Sequence, residues 1–214
     1  MVVDKEMNPH LALGGDEKTK VKLGKAYKLP KMEARDADGN DISGDVIVGD
    51  IDFKRVGTYD VPFTVEDGRG NSTTVHRSVE VVPNTDYKVA GLPICMYHYV
   101  YDENDPPDDV NRRYNNYIEA HALEEELQYL KEQEYYFPTW KEVRDYVDGK
   151  LVLPDKSIVL CFDDGAKSFL DVGIPVLEEC QVPATCFMIT AGDGKRKVEA
   201  YQSQFVSYQS HSHN

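Results

Sequence analysis

Residues 157–165, SIVLCFDDG, join a run of apolar residues to two adjacent aspartates, Asp163 and Asp164, and a glycine. Neighbouring carboxylates repel each other, and an apolar strand gains nothing by ending in them. At the C-terminal tip of a parallel strand, however, side chains point into the ligand crevice. Adjacent residues leave such a tip in different directions, so one carboxylate can bind a metal while the other takes a proton from water. A bound cation also offsets the repulsion within the pair. Gly165 supplies the backbone freedom for a sharp turn. The competing structural reading is that both aspartates are turn residues capping the helix that follows.

A second group with chemical potential is YQSHSHN, residues 208–214. Histidine is the usual companion of a carboxylate in a zinc-type site. His211 follows the PATCFMIT stretch (183–190) at a distance where a fourth strand would end. The alternative is a polar tail with incidental histidines. His98 closes the apolar run LPICMYH (92–98) and would share the aspartates' end of the sheet if the strands are parallel, either lining the pocket or resting as a hydrogen-bonded rim histidine. Tyr97 and Tyr99 are suited to stacking on sugar rings, or to ordinary packing. His10, His76 and His121 carry no assigned role.

The elements that must position these residues begin with a different kind of sequence. Up to residue 83 the pattern is all β. GTYDVPFTVED alternates Tyr59, Val61, Phe63 and Val65, GRGN is a turn, and STTVHRSVEVV resumes the alternation, which predicts a hairpin with one buried face. Pro62 falls on the other face and favours an edge position. KVKLGKAYKLP (20–30) predicts two short strands, and DADGNDISG (36–44) is a cluster of turn formers. Short strands between regular turns predict a small β-sandwich.

PNTDYKVAG is the linker, and beyond it the period changes. LPICMYH and KSIVLCF read as strands buried on both faces, and PATCFMIT as a third. Between them, Leu123, Leu127 and Leu130 recur at helical spacing. Thr139 and Glu142 form a capping box opening a helix with Trp140, Val143 and Val147 on one face and Gly149 as its stop. GIPVLEECQ reads as a helix started by Pro175. Strands alternating with helices predict a parallel α/β sheet. A closed β/α barrel needs about 200–250 residues, more than the α/β segment contains, so the expectation is an open sheet or the front part of a larger domain. The domain reading is 1–83, a linker over 84–91, and 92–214.

Composition narrows the partners. The 214 residues carry a net charge of -14, unevenly spread: residues 1–83 hold 12 basic and 15 acidic residues, residues 84–214 hold 12 and 23. Phosphate binding is driven by basic residues, so this surface argues against a nucleic acid or an anionic membrane as partner, although an acidic surface most often serves solubility. No stretch approaches the ~20 apolar residues of a membrane span. The four cysteines lack zinc-knuckle spacing and are expected to be free thiols, with Cys180–Cys186 the pair to test.

Two resemblances follow from the quoted motifs. LALGGDEKTKVKLGKAYKLP, ARDADGNDISGDV and KRVGTYDVPFTVEDGRGNSTTVHRSVEV together resemble the bacterial immunoglobulin-like repeats found beside surface enzymes. That family implies a spacer or wall-interaction role and no catalytic residues. LPICMYHYV, IVLCFDDG, ATCFMIT and SHSHN, in this order, resemble the polysaccharide deacetylase family, carbohydrate esterase family four with its nodulation-deacetylase homology domain. This resemblance implies a distorted β/α barrel, here C-terminally incomplete, that removes N-acetyl groups from an N-acetylglucosamine polysaccharide at the bacterial surface.

By the same resemblance Asp163 matches the general base, Asp164 a metal ligand and His211 the first histidine ligand, with zinc, cobalt or nickel as the metal. A second histidine ligand would fall at position 215 or 216, His213 is not expected to replace it, and the arginine, tyrosine and catalytic-acid motifs would lie further on. The chain alone is therefore expected to bind metal weakly and to be inactive. Two other functions compete: a non-catalytic glycan-binding adhesion protein with a degenerate deacetylase domain, and a magnesium phosphatase. The second is disfavoured because its two aspartates are usually separated by one residue.

Overall fold

The structure is a computed structural model that describes residues 8–84, 91–112 and 116–213. Most of the expected linker, 84–91, lies outside the described residues. The chain divides into two compact units, Met1–Val89 with Lys141–Leu153, and Ala90–Trp140 with Pro154–Asn214.

The first unit is built on six strands: β1 (His10–Leu13), β2 (Lys18–Lys22), β3 (Met32–Arg35), β4 (Ile47–Val48), β5 (Gly57–Glu66) and β6 (Ser72–Val82). They form a four-stranded sheet, order β2-β6-β5-β4, and a two-stranded sheet β1-β3. The period-two alternation has the expected consequence: Val61, Phe63, Val65 and Val79 are buried together with Leu11 and Ala34 in one core. Two expectations are corrected. Only one strand, β2, forms over 20–30, because the segment turns after Lys22 and Leu23 is buried outside any strand. Pro62 is not at an open edge, since the two-residue β4 pairs alongside β5 and the Gly49 N–H donates to the Pro62 carbonyl at 2.9 Å. The missing Pro62 N–H leaves that bond unaffected.

Lys141–Leu153, read from the sequence as part of the α/β segment, packs within this first unit. The N–H of Val56 donates to the Lys150 carbonyl at 2.9 Å, and that of Val152 to the Lys54 carbonyl at 2.7 Å. Arg55 reaches Asp145 at 3.2 Å and Glu142 at 3.6 Å. The segment lies mostly in α2 (Trp140–Val147), where Tyr146 is buried and Val147 is exposed. The inward stripe is therefore rotated from the expected Trp140–Val143–Val147 face.

The second unit contains β7 (Ile94–Tyr97), β8 (Tyr99–Tyr101), β9 (Tyr117–Glu119), α1 (Ala120–Glu132), β10 (Val159–Asp164), α3 (Ile174–Cys180), β11 (Ala184–Ile189), α4 (Gly194–Ala200) and β12 (Val206–Ser212). Four strands make an all-parallel sheet in the order β12-β11-β10-β7. Its helix-covered face is a single core in which Leu123, Leu127, Leu160, Phe162, Leu177, Cys186 and Met188 are buried. β10 and β11 are apolar on both faces, as expected. β7 is not: Ile94 and Met96 are 53% and 64% exposed, while Cys95 and Tyr97 pack on the core. It is an edge strand of the described sheet, so one of its faces has no cover there. The helix ending in α3 also starts earlier than Pro175. A π-helical turn, Phe169–Gly173, precedes it, and the Ile174 N–H donates to the Phe169 carbonyl five residues back. The wider turn accommodates a proline that has no N–H to give.

All four cysteines are free, including Cys180 and Cys186. Burial is the first cause raising their thiols, with Asp163 adding to it for two: Cys161 is pushed up to about 11 and Cys186 to about 12. Two consequences are expected. A thiol reagent at pH 7.5 should modify the native protein far more slowly than the urea-unfolded chain, measured by release of a chromophoric thiolate. Stability should fall as pH rises above about 8.5, where an unfolded thiol ionises and the buried ones do not, because the folded state then holds more protons.

Candidate active site

The two aspartates end β10, an inner strand of the sheet paired with β7 on one side and β11 on the other. Phe162, immediately before them, stacks on Tyr97 at 5.0 Å and on Phe169 at 4.2 Å between ring centroids. This three-ring stack anchors the strand tip on the core side, and each such pair adds about 0.5–1.5 kcal/mol beyond area burial. Alternation then sends Asp163 to the opposite face, where its side chain is 14% exposed. Asp164 turns away from it with φ +70°, and Gly165 follows with φ +62°. Two successive left-handed residues reverse the chain, and aspartate tolerates that region better than most side chains. Gly165 is favoured by its left-handed conformation, and a Cβ there would also press on the Met188 Sδ and Cε, which would have to move.

His211 arrives from β12, two strands away. Across β11 the register runs Met188 with Ser210 and then Ile189 with Ser212, so His211 is the extra residue of a β-bulge. A bulge re-aims a side chain out of the regular alternation. Beyond it the strand end is pinned again, the Thr190 N–H donating to the Ser212 carbonyl at 2.9 Å. The result is that the His211 Nε2 stands 3.6 Å from the Asp163 Oδ2 and 3.9 Å from the Asp164 Oδ1. Among the described residues, neither carboxylate bonds a backbone N–H of the following helix, which removes the capping reading. His213 goes elsewhere, its Nδ1 3.3 Å from the Thr190 hydroxyl.

Zinc lies about 2.0–2.2 Å from histidine nitrogen and carboxylate oxygen. Two ligands of one cation are therefore separated by less than about twice that length. The 3.9 Å between Asp164 and His211 satisfies this condition. Among the described residues no group of three or more His, Cys, Asp and Glu side chains is arranged to hold a metal ion. Asp163, at 3.6 Å from the His211 Nε2, meets the same distance, so the spacing fits two ligands of one cation with either aspartate.

His98 directly follows β7. The β7-β10 ladder ends at the Tyr97–Phe162 pair, and His98 lies just past it, outside the strand. It is half-buried, its ring 6.1 Å from that of Tyr99. A cavity of about 390 Å³ elsewhere in this unit is lined by Trp140, Val159, Ala184, Thr185, Val206 and Ser207, the starts of the strands. It lies at the end of the sheet opposite the aspartates and takes no part in this site.

Comparison with known proteins agrees with this two-part arrangement. Residues 11–81 match the bacterial surface protein Ig-like domain, and residues 150–214 match the polysaccharide deacetylase family. The chain is thus similar to an Ig-like surface domain over one segment and to a polysaccharide deacetylase over another. Among curated proteins it is similar to the poly-β-1,6-N-acetyl-D-glucosamine N-deacetylase of Escherichia coli strain K12, 32% identical over 94 residues that span 44% of this chain and 13% of that protein. The Staphylococcus epidermidis protein of the same name is 29% identical over 138 residues, 55% of this chain and 47% of that one. The chain thus spans less than half the length of these relatives. Among solved structures, the Streptococcus pyogenes deacetylase PplD in complex with acetate has 25% identity, a TM-score of 0.49, and coverage of 58% of this chain and 57% of that one. No helix among the described residues is long and apolar enough to cross a membrane.

Proposed function

We propose that this chain carries part of the active site of a metal-dependent polysaccharide N-deacetylase acting on an N-acetylglucosamine polymer at the bacterial surface. The substrate class follows the two curated relatives, and the location follows the Ig-like match. The observation that carries the proposal is the convergence of Asp163, Asp164 and His211 from strands that are not neighbours. We assign the domains to 1–83 and 92–214, with Lys141–Leu153 packed on the first.

Asp164 and His211 would hold a divalent cation, with zinc, cobalt or nickel suited to a mixed carboxylate–imidazole set. Such a cation supplies Lewis acidity, lowering the pKa of water from ~15.7 toward ~7 and polarising the acetamide carbonyl. Asp163, held on the sheet face by the ring stack behind it, accepts the proton from the attacking water. The departing sugar amine takes a proton from a general acid that the resemblance places outside these residues. The products are acetate and an amino sugar that is cationic near neutral pH. The acidic surface suits that product and remains unsuited to a nucleic acid.

The test is acetate release from β-1,6-linked N-acetylglucosamine oligomers by the full encoded protein supplied with zinc, cobalt or nickel. Acetate release that survives chelation of all divalent metal would contradict the proposed site. An adhesion protein without catalysis would bind the oligomers and release nothing.

A further inference from the structure

The helix α4 carries three consecutive bases, Lys195, Arg196 and Lys197, and the third turns inward. Lys195 and Arg196 are exposed, whereas the Lys197 side chain is only 27% exposed. Its Nζ donates to the Gly165 carbonyl at 3.4 Å, 32 residues earlier in the chain, and stands 3.4 Å from the Asp193 Oδ1 one helical turn back. The helix is seated closely on the end of β11, since a Cβ on Gly194 would run into the Ile189 carbonyl oxygen. The ammonium thus reaches the turn behind the aspartates from a fixed base.

Gly165 is held on its other side as well. Burial raises the Cys186 thiol, and the effects opposing it are the nearby Lys197 ammonium and a hydrogen bond from the Gly165 N–H. The peptide groups before and after Gly165 are therefore tied, one to β11 and one to α4. Asp164 and Gly165 both have left-handed backbones, at φ +70° and +62°. That conformation is disfavoured for an aspartate, so it persists only where the surroundings impose it. The place of the Asp164 carboxylate, 3.9 Å from the His211 Nε2, depends on this turn.

We propose that Lys197 is a positioning residue for the metal site, its ammonium clamping the Gly165 carbonyl so that Asp164 is kept at ligand distance from His211. The proposal rests on the reading of Asp164 as a metal ligand and extends it to α4, whose lysine touches neither metal nor substrate. A charged donor suits the task because it holds a carbonyl more firmly than a neutral one does. A ligand already oriented in the folded chain binds its cation more tightly than one that must first be ordered.

The test is Lys197→Met in the full encoded protein, a change that keeps the stem and removes the donor. Without metal, hydrogen exchange at the Gly165 and Ala166 amides should quicken at least fivefold while Leu160 and Phe162 stay unchanged. A general loss of stability would not give that local pattern. Calorimetric affinity for cobalt(II) should fall about 10–100-fold, the usual effect of removing a group that orients a metal ligand. Lys197→Arg keeps a cationic donor and should bring both measurements back to within threefold of the parent. Exchange quickened less than fivefold, affinity lowered less than tenfold, or equal losses in the methionine and arginine variants overturns the proposal. Such a failure beside normal acetate release removes the clamp alone. If both measurements respond to Lys197 but the parent releases no acetate, the deacetylase reading falls and the clamp stands.

Discussion

Substituting Asp163→Asn should reduce acetate release by the full encoded protein by about 10²–10⁴-fold, the range expected when a general base is lost. The amide matches the carboxylate in shape, so the sheet packing around this side chain is kept. It cannot accept a proton at neutral pH. The loss should therefore appear in kcat, with KM and the thermal midpoint little changed. The charge is also removed 3.6 Å from the His211 Nε2, so metal affinity should change modestly, while Asp164 and His211 still hold the cation. A variant that releases acetate at the parent rate would show that Asp163 is not the base.

The second large effect concerns stability. Gly165→Ala places a Cβ 2.2 Å from the Met188 Sδ and 2.5 Å from its Cε, in a residue with φ +62°. The left-handed conformation costs an L-residue about 1–2 kcal/mol. Overpacking typically adds about 1–3 kcal/mol. Met188 is flexible by nature but is only 2% exposed, so its displacement disturbs the core under the site. Urea unfolding should show a loss of about 2–5 kcal/mol on these two terms together. Truncating the obstacle tests the cause. Met188→Ala combined with Gly165→Ala should cost less than the sum of the two single changes by at least ~1 kcal/mol, because the residues are in contact. Strict additivity would contradict the clash.

Much of this arrangement is legible in the sequence because it depends on local pattern. The alternation over 57–82 specifies the hairpin, the leucines at 123, 127 and 130 specify α1, and the apolar run before Asp163 specifies a strand whose tip carries the pair. His211 was readable as a histidine at the end of a fourth strand. The bulge that turns it toward the aspartates was not, because an extra residue in a parallel ladder depends on the partner strand and leaves no local signature. The exposure of Ile94 and Met96 was hidden for a related reason. An apolar run reports what a strand tolerates, and its cover depends on which elements surround it. The attachment of Lys141–Leu153 to the first unit rests on backbone bonds to Lys54 and Val56, and backbone bonding has no residue-type signal. His98 was read as a rim or pocket residue. It is half-buried directly after β7, which suits either position.

The central claim is that Asp164 and His211 grip a single cation. Titration of the 214-residue chain with cobalt(II), followed by absorbance and calorimetry, tests it most directly. One ion per chain should bind weakly, at micromolar affinity or looser for a partial ligand set, and binding should be lost in both Asp164→Ala and His211→Ala. A cobalt isotherm left unchanged by both substitutions would contradict it.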